Sequence, residues 1–142
     1  MTTDPAIAVP FATEALGNPI ELVHAFPDNM PTGVAVDRGR MFVSFPRWGD
    51  QVAHTLREIV DGVAIPYPNA AMNTLDVSRP SETLFSVQAV EFDARGWLWL
   101  LDTGLIARKP VPGAPKLIAI DPANNTVVKT IVLPPGGLLP TT

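Results

Sequence analysis

A chain of 142 residues with net charge −4, 46% hydrophobic and 17% charged residues has the length and composition of one globular domain. Lysine and arginine are scattered, which excludes a basic face for nucleic acid; no apolar run reaches the ~18 residues of a membrane helix; and the lack of cysteine excludes disulfides, thiolate metal sites and a cysteine nucleophile. Proline, at 16 residues, is about twice its usual ~5% share, which loop-rich β proteins tolerate better than helical ones.

Residues 1–19 hold three prolines and no period, and read as an irregular arm. The opening MTTDPAIAVPFATEALG carries Asp4 and Glu14 and no early lysine or arginine, so it does not read as a signal peptide. Taken alone, the chain is expected to be cytoplasmic or to lack its leader. A β domain is expected over 20–135, and the tail 136–142 shows no element. Ile20 to Phe26 can form a strand, although its alternation is imperfect. Pro27-Asp28-Asn29 and Pro31-Thr32-Gly33 then punctuate a loop.

Val34 to Asp37 alternates cleanly, Arg38-Gly39-Arg40 turns, and Met41 to Phe45 is the next strand. The same order returns later. Val90-Glu91-Phe92-Asp93 matches Val34 to Asp37, Arg95-Gly96 matches Arg38-Gly39, and Leu98-Trp99-Leu100 matches Met41-Phe42-Val43. The two aspartates lie 56 positions apart, and a period of this order suggests stacked units. Turn chemistry shared by two unrelated hairpins is the simpler alternative.

Gln51 to Val60 is ambiguous. Val52, Leu56, Ile59 and Val60 fall at helical spacing, whereas the repeat asks for a third strand here. We take it as a strand, followed by a long, proline-punctuated loop over 61–80. Trp97 to Leu101 is bulky enough for a strand buried on both faces, with Trp97 and Trp99 expected against adjoining sheets. Lys116 to Asp121 and Thr126 to Leu133 are two further strands joined by Pro122-Ala123-Asn124-Asn125.

This order predicts an all-β fold of four-stranded antiparallel units. Repeated around an axis they make a β-propeller, here an incomplete one with room for roughly two to three blades of about 55 residues. Propellers need ~4–8 blades to close. The chain is therefore expected to expose an apolar blade face at each end and to self-associate through those faces, unless it is a fragment or a small β-sandwich.

The segments PTGVAVDRGRMFVSFPRWGDQVAHTLREI, VQAVEFDARGWLWLLDTG and KLIAIDPANNTVVKTIVLPP resemble the N-terminal part of the major royal jelly protein/Yellow family, in its bacterial branch. The most specific pieces are Pro46-Arg47-Trp48, Pro66-Tyr67-Pro68 and Trp97-x-Trp99-x-x-Asp102-Thr103-Gly104. The hairpins alone also occur in lactonase-type propellers. The resemblance implies a six-bladed propeller, secretion, and a small organic ligand such as an amine bound at the channel mouth; some insect members act on dopachrome. The alternatives are a lactonase-like, metal-dependent hydrolase and a structural module that pairs through open blade faces.

No catalytic constellation stands out, and no cofactor or metal is expected. Asp102-Thr103-Gly104 resembles an aspartic-protease signature, but Leu105 follows where a small residue is usual, and a capping turn explains it better. Asp37, Asp93 and Asp121 each end a strand and could ring a channel around a metal; turn chemistry explains them more simply. His24 and His54 lie far from any acid cluster. Arg47 and Trp48 could stack, which would lock their loop. Asn124-Asn125-Thr126 is a glycosylation sequon. In a propeller the inner strand of each blade lines the channel, which points to Thr32, Gln88 and Glu91 as ligand-facing residues.

Overall fold

The computed structural model describes residues 17–135; residues 1–16 of the expected arm and the whole expected tail, 136–142, lie outside the described residues. Two tight turns set the first sheet. Arg38 and Gly39 take φ of 48° and 79°, and Asp61 and Gly62 take 49° and 77°. Positive φ at both central residues is the two-residue type I′ turn, whose twist matches the strands it joins. These turns close β1 (Gly33–Asp37) onto β2 (Arg40–Ser44), and β3 (Leu56–Val60) onto β4 (Val63–Pro66). β2 and β3 also pair antiparallel, so the sheet runs β1-β2-β3-β4.

A short helix, α1 (Ala70–Asn73), follows, with the Asn69 side chain accepting from Met72 N as its cap. The second sheet starts with β5 (Val87–Phe92) and β6 (Leu98–Asp102), joined by a longer loop over 93–97. There Asp93 Oδ1 accepts from Arg95 N and Trp97 N, an Asx arrangement that holds the turn. A two-residue hairpin pairs β7 (Leu105–Ile106) with β8 (Lys109–Pro110). Then β9 (Lys116–Asp121) lies beside β6, and β10 (Thr126–Val132) closes the edge, in the order β5-β6-β9-β10.

The chain is thus all-β, with two four-stranded antiparallel blades of a propeller that is not closed. Three sequence expectations need correction. Ile20 to Phe26 forms no strand; Ile20, Leu22 and Val23 are exposed, and among the described residues no strand pairs with this imperfectly alternating stretch. The strand expected over 51–60 begins only at Leu56, because the carbonyls of Gln51, Val52, Ala53 and His54 are taken by the side chains of Asn29, Arg47 and Arg57. The stretch 61–80 is not all loop: it holds β4 and α1, so the first blade is complete.

The blades pack face to face along one seam. Ala35, Phe42, Leu56 and Tyr67 come from the first blade and Val90, Leu98, Leu100, Ile118 and Ile120 from the second. Cross-strand partners share a face, so the pairs Val90–Leu100–Ile118 and Phe92–Leu98–Ile120 form one continuous apolar surface. Phe42 meets Phe92 edge-on at 5.8 Å between centroids, and Tyr67 lies 4.5 Å from Phe42. Each such fully buried side chain is worth roughly 1.5–3 kcal/mol. The inner strands β1 and β5 come so close that a side chain at Gly33 would collide with Ser44 Oγ and crowd the Val90 backbone. The absence of a Cβ there is what lets the blades meet at their inner edge.

Candidate functional site

Two polar clusters flank the apolar seam, at opposite ends of β2. The first is built around Asp102, at the end of β6. Its Oδ2 accepts from Phe85 N and Lys116 Nζ at 2.8 and 2.9 Å, and its Oδ1 from Ser86 N and Gly104 N at 2.8 and 3.0 Å. Both members of the ion pair are fully buried. Lys116 Nζ has two further acceptors, Pro80 O and Ala114 O. Burial lowers the Lys116 pKa, against the pull of Asp102. Both oxygens of this buried carboxylate are committed to structural donors. The Asp-Thr-Gly sequence therefore ties the approach to β5 onto the end of β6.

Arg47 lies beside it. Its guanidinium donates to five backbone carbonyls, of Val52, Ala53, Asn73, Leu84 and Phe85. Burial lowers its pKa, with Asp102 opposing. Arg47 locks its loop as the sequence implied, but by filling a cage of carbonyls contributed by three separate segments. A fixed fork of five N–H donors suits that task, and a lysine ammonium does not. Ser86 Oγ accepts from Arg47 N, and Thr55 Oγ1 accepts from Val87 N, which completes the stitching of β5 to the first blade.

At the far end of β2, Arg40 makes a bidentate pair with Glu58 at 2.6 and 2.9 Å and reaches across the seam to Pro122 O and Asn125 Oδ1. The Tyr67 ring lies 5.5 Å from its guanidinium, but the Tyr67 hydroxyl is buried without a hydrogen-bond partner. Burial pushes this hydroxyl up to about 12, against the opposing charge of Arg40.

The inner strands carry the ligand-facing candidates. Thr32 Oγ1 donates to Gln88 O at 2.9 Å, and Ser44 Oγ donates to the same carbonyl at 3.3 Å. Thr32 and Gln88 are thus brought together, one repeat apart, with both residues exposed at the start of the two inner strands. Glu91 is not part of that group. A register shift between Val87 and Ala89 places it opposite Trp99, on the blade face turned away from the seam. It is exposed there, while Trp99 is half-buried and donates through Nε1 to Asp93 Oδ2 at 3.0 Å. That bond is the largest influence holding the Asp93 carboxyl below its usual range.

The three strand-ending aspartates behave as punctuation. Asp93 holds its turn, Asp121 Oδ1 accepts from Ala123 N, and Asp37 lies 3.6 Å from Arg38 in solvent. Among the described residues, no three His, Asp or Glu side chains are grouped to hold a metal. His24 packs on Phe26 at 4.5 Å, and burial lowers the pKa of His54. What sequence reasoning missed is the pairing of Lys116 with Asp102. The one available signal was a lysine opening an otherwise apolar strand.

Comparison with known proteins brings in relatives. The family model described as major royal jelly protein matches residues 85–139. The L-dopachrome tautomerase yellow-f of Drosophila melanogaster is 33% identical over 118 residues, which cover 75% of this chain and 27% of that protein. Protein yellow of Drosophila guanche is 32% identical over 125 residues, 80% of this chain and 21% of the relative. The chain spans about a quarter of the length of these curated relatives.

Proposed function

The chain belongs to the major royal jelly protein/Yellow family, and from that premise we propose that its two blades form one side of a channel mouth that binds a small organic ligand, an aromatic amine fitting best. The observation that carries this reading is the pairing of Glu91, on the inner strand β5, with Trp99 of the adjacent β6. An exposed carboxylate next to an indole whose orientation is fixed by Asp93 offers a cation both a counter-charge and a ring face. Gln88 adds an exposed amide on the same strand, and Thr32, committed to the Gln88 carbonyl, holds the rim rather than the ligand. One relative is named for action on dopachrome, a small organic molecule, which supports the same ligand class. An extracellular setting accompanies this reading by family resemblance. The metal-dependent, lactonase-like alternative finds no converging donor set among the described residues.

Calorimetric titration with tryptamine or dopamine tests the proposal. Saturable binding is expected, weakened about tenfold, or ~1.4 kcal/mol, by Glu91→Gln. Absence of saturable binding, or an affinity indifferent to Glu91→Gln, overturns it.

A further inference from the structure

We propose that the β7–β8 hairpin is a carboxylate-recognising arm at the mouth where the inner strands begin, with Arg108 and Lys109 as the groups that take the anion. Such an arm gives the ligand of the proposed channel mouth a carboxylate as well as a ring, and it rests on that reading for the ring alone.

The turn of this hairpin is unlike the others. Among the described residues, three two-residue turns have positive φ at both central positions. Arg38-Gly39 and Asp61-Gly62 place glycine second, where it adopts this conformation without steric cost. The third turn uses Ala107 and Arg108, at φ of 48° and 63°, so both of its central residues carry a Cβ. Strain of this kind persists only where the surroundings enforce it, and it collects at functional positions.

The surroundings enforce it here. Ala107 N donates to Arg47 O at 3.1 Å, and the Arg47 side chain is held in its cage of carbonyls. At the base of the hairpin Val111 N donates to Gly104 O at 3.0 Å, and a side chain on Gly104 would collide with Ala114 and Pro115. Strands of two residues are too short to hold a hairpin by their own pairing, so these anchors position the arm. Thr103, just before it, donates through N and Oγ1 to Ser86 O, at 3.0 and 3.1 Å, beside the start of β5 and the exposed Gln88. The arm thus leans on the first blade across the seam, at the ends of the strands. Its exposure does not depend on the blade faces turned away from the seam.

The arm presents charge without a partner. Arg108 and Lys109 are both exposed, and neither joins an ion pair among the described residues. Every other arginine there is engaged by a carboxylate, a carbonyl or an aromatic ring. A guanidinium offers paired N–H donors that match the two oxygens of a carboxylate, and the adjacent ammonium adds a second positive charge. In a chain of net charge −4 this pair is a local reversal of sign. Glycine at position 108 would relax the turn but remove the guanidinium.

Calorimetric titration with three indole probes tests the inference. Indole-3-acetate carries a carboxylate and no amine, free tryptophan carries both, and tryptamine carries the amine alone. The wild-type chain is expected to bind indole-3-acetate saturably. Arg108→Gln combined with Lys109→Gln should weaken the acetate and tryptophan about tenfold and leave tryptamine no weaker. Arg108→Gly should weaken the acetate while raising the urea midpoint, because it removes charge and strain together. Absence of saturable indole-3-acetate binding overturns the inference. So does an acetate affinity that the double variant leaves unchanged, or a tryptamine affinity lowered as much as that of the acetate. Tryptamine that fails to bind, while the acetate binds through Arg108 and Lys109, overturns the amine reading alone and supports the arm.

Discussion

The seam and the blade faces turned away from it are both made by four-stranded antiparallel sheets, yet they differ in almost every physical respect. In the seam, apolar side chains are covered, and polar groups at both ends are matched by charge or carbonyl, with the Tyr67 hydroxyl the exception among the described residues. On the outer faces the equivalent positions are open, and polar stitching of the Arg47 or Asp102 kind is lacking among the described residues. Whether an apolar side chain of these sheets is covered is thus decided by its neighbours rather than by its residue type. The residues most specific to the family resemblance, Arg47 and Asp102, fall on the seam side of this comparison. Arg47 ties the first blade to Leu84 and Phe85, and Asp102 ties Phe85 and Ser86 to the end of β6.

Breaking the seam should cost far more than altering an outer face. Asp102→Asn removes the partner of a buried lysine, and loss of one member of a buried pair costs about 3–5 kcal/mol. Chemical denaturation should show this as a lower midpoint with an unchanged slope. Arg47→Lys keeps the charge but cannot reach five carbonyls, and a loss of about 1.5–3 kcal/mol is expected in the same measurement.

Tyr67→Phe acts in the opposite direction. It removes the unpartnered buried hydroxyl and should stabilise the fold by about 1 kcal/mol at neutral pH. The pH dependence sharpens the point. A hydroxyl raised from 10.0 to about 12 in the folded state favours folding below pH 10, and that contribution is lost as pH rises through 12. Wild type should therefore lose stability over this alkaline window relative to Tyr67→Phe; thermal melts of the two proteins at pH 9 and above read the difference. At the bottom of the scale, Val36→Asp, on the face turned away from the seam, should shift the stability of the chain by no more than about 0.5 kcal/mol, because Val36 is 58% exposed there.

Much of the architecture was legible because local signals agreed with the repeat. Arg38-Gly39 and Asp93 to Gly96 mark hairpins by turn chemistry, and period-2 alternation names the strands around them. β4 escaped because it is four residues long and ends on Pro66, although Asp61-Gly62 between apolar residues was a hairpin signal of the same kind as Arg38-Gly39. Ile20 to Phe26 was misread because strand propensity is only realised where a partner strand exists.

The site was less legible. Thr32 and Gln88 meet because they hold the same place in successive repeats, which the pattern shows. Glu91 depends on a register shift after Val87 that no local pattern reveals. Apart from Gly104, the partners of Asp102 lie 14 to 17 residues away in sequence, and those of the Arg47 guanidinium up to 38. Such clamps are tertiary objects, and each residue read alone offers only its turn propensity or its charge.

The central claim is that two blades fold as one body, Arg47 locking the first blade to the segment that leads into β5 and Asp102 anchoring that segment to β6. Urea unfolding followed together by tryptophan fluorescence and far-UV circular dichroism tests it most directly. The two signals should change in a single coincident transition, and Asp102→Asn should move both midpoints down together. Two separated transitions in the wild-type chain, or an Asp102→Asn midpoint equal to wild type, would contradict the account.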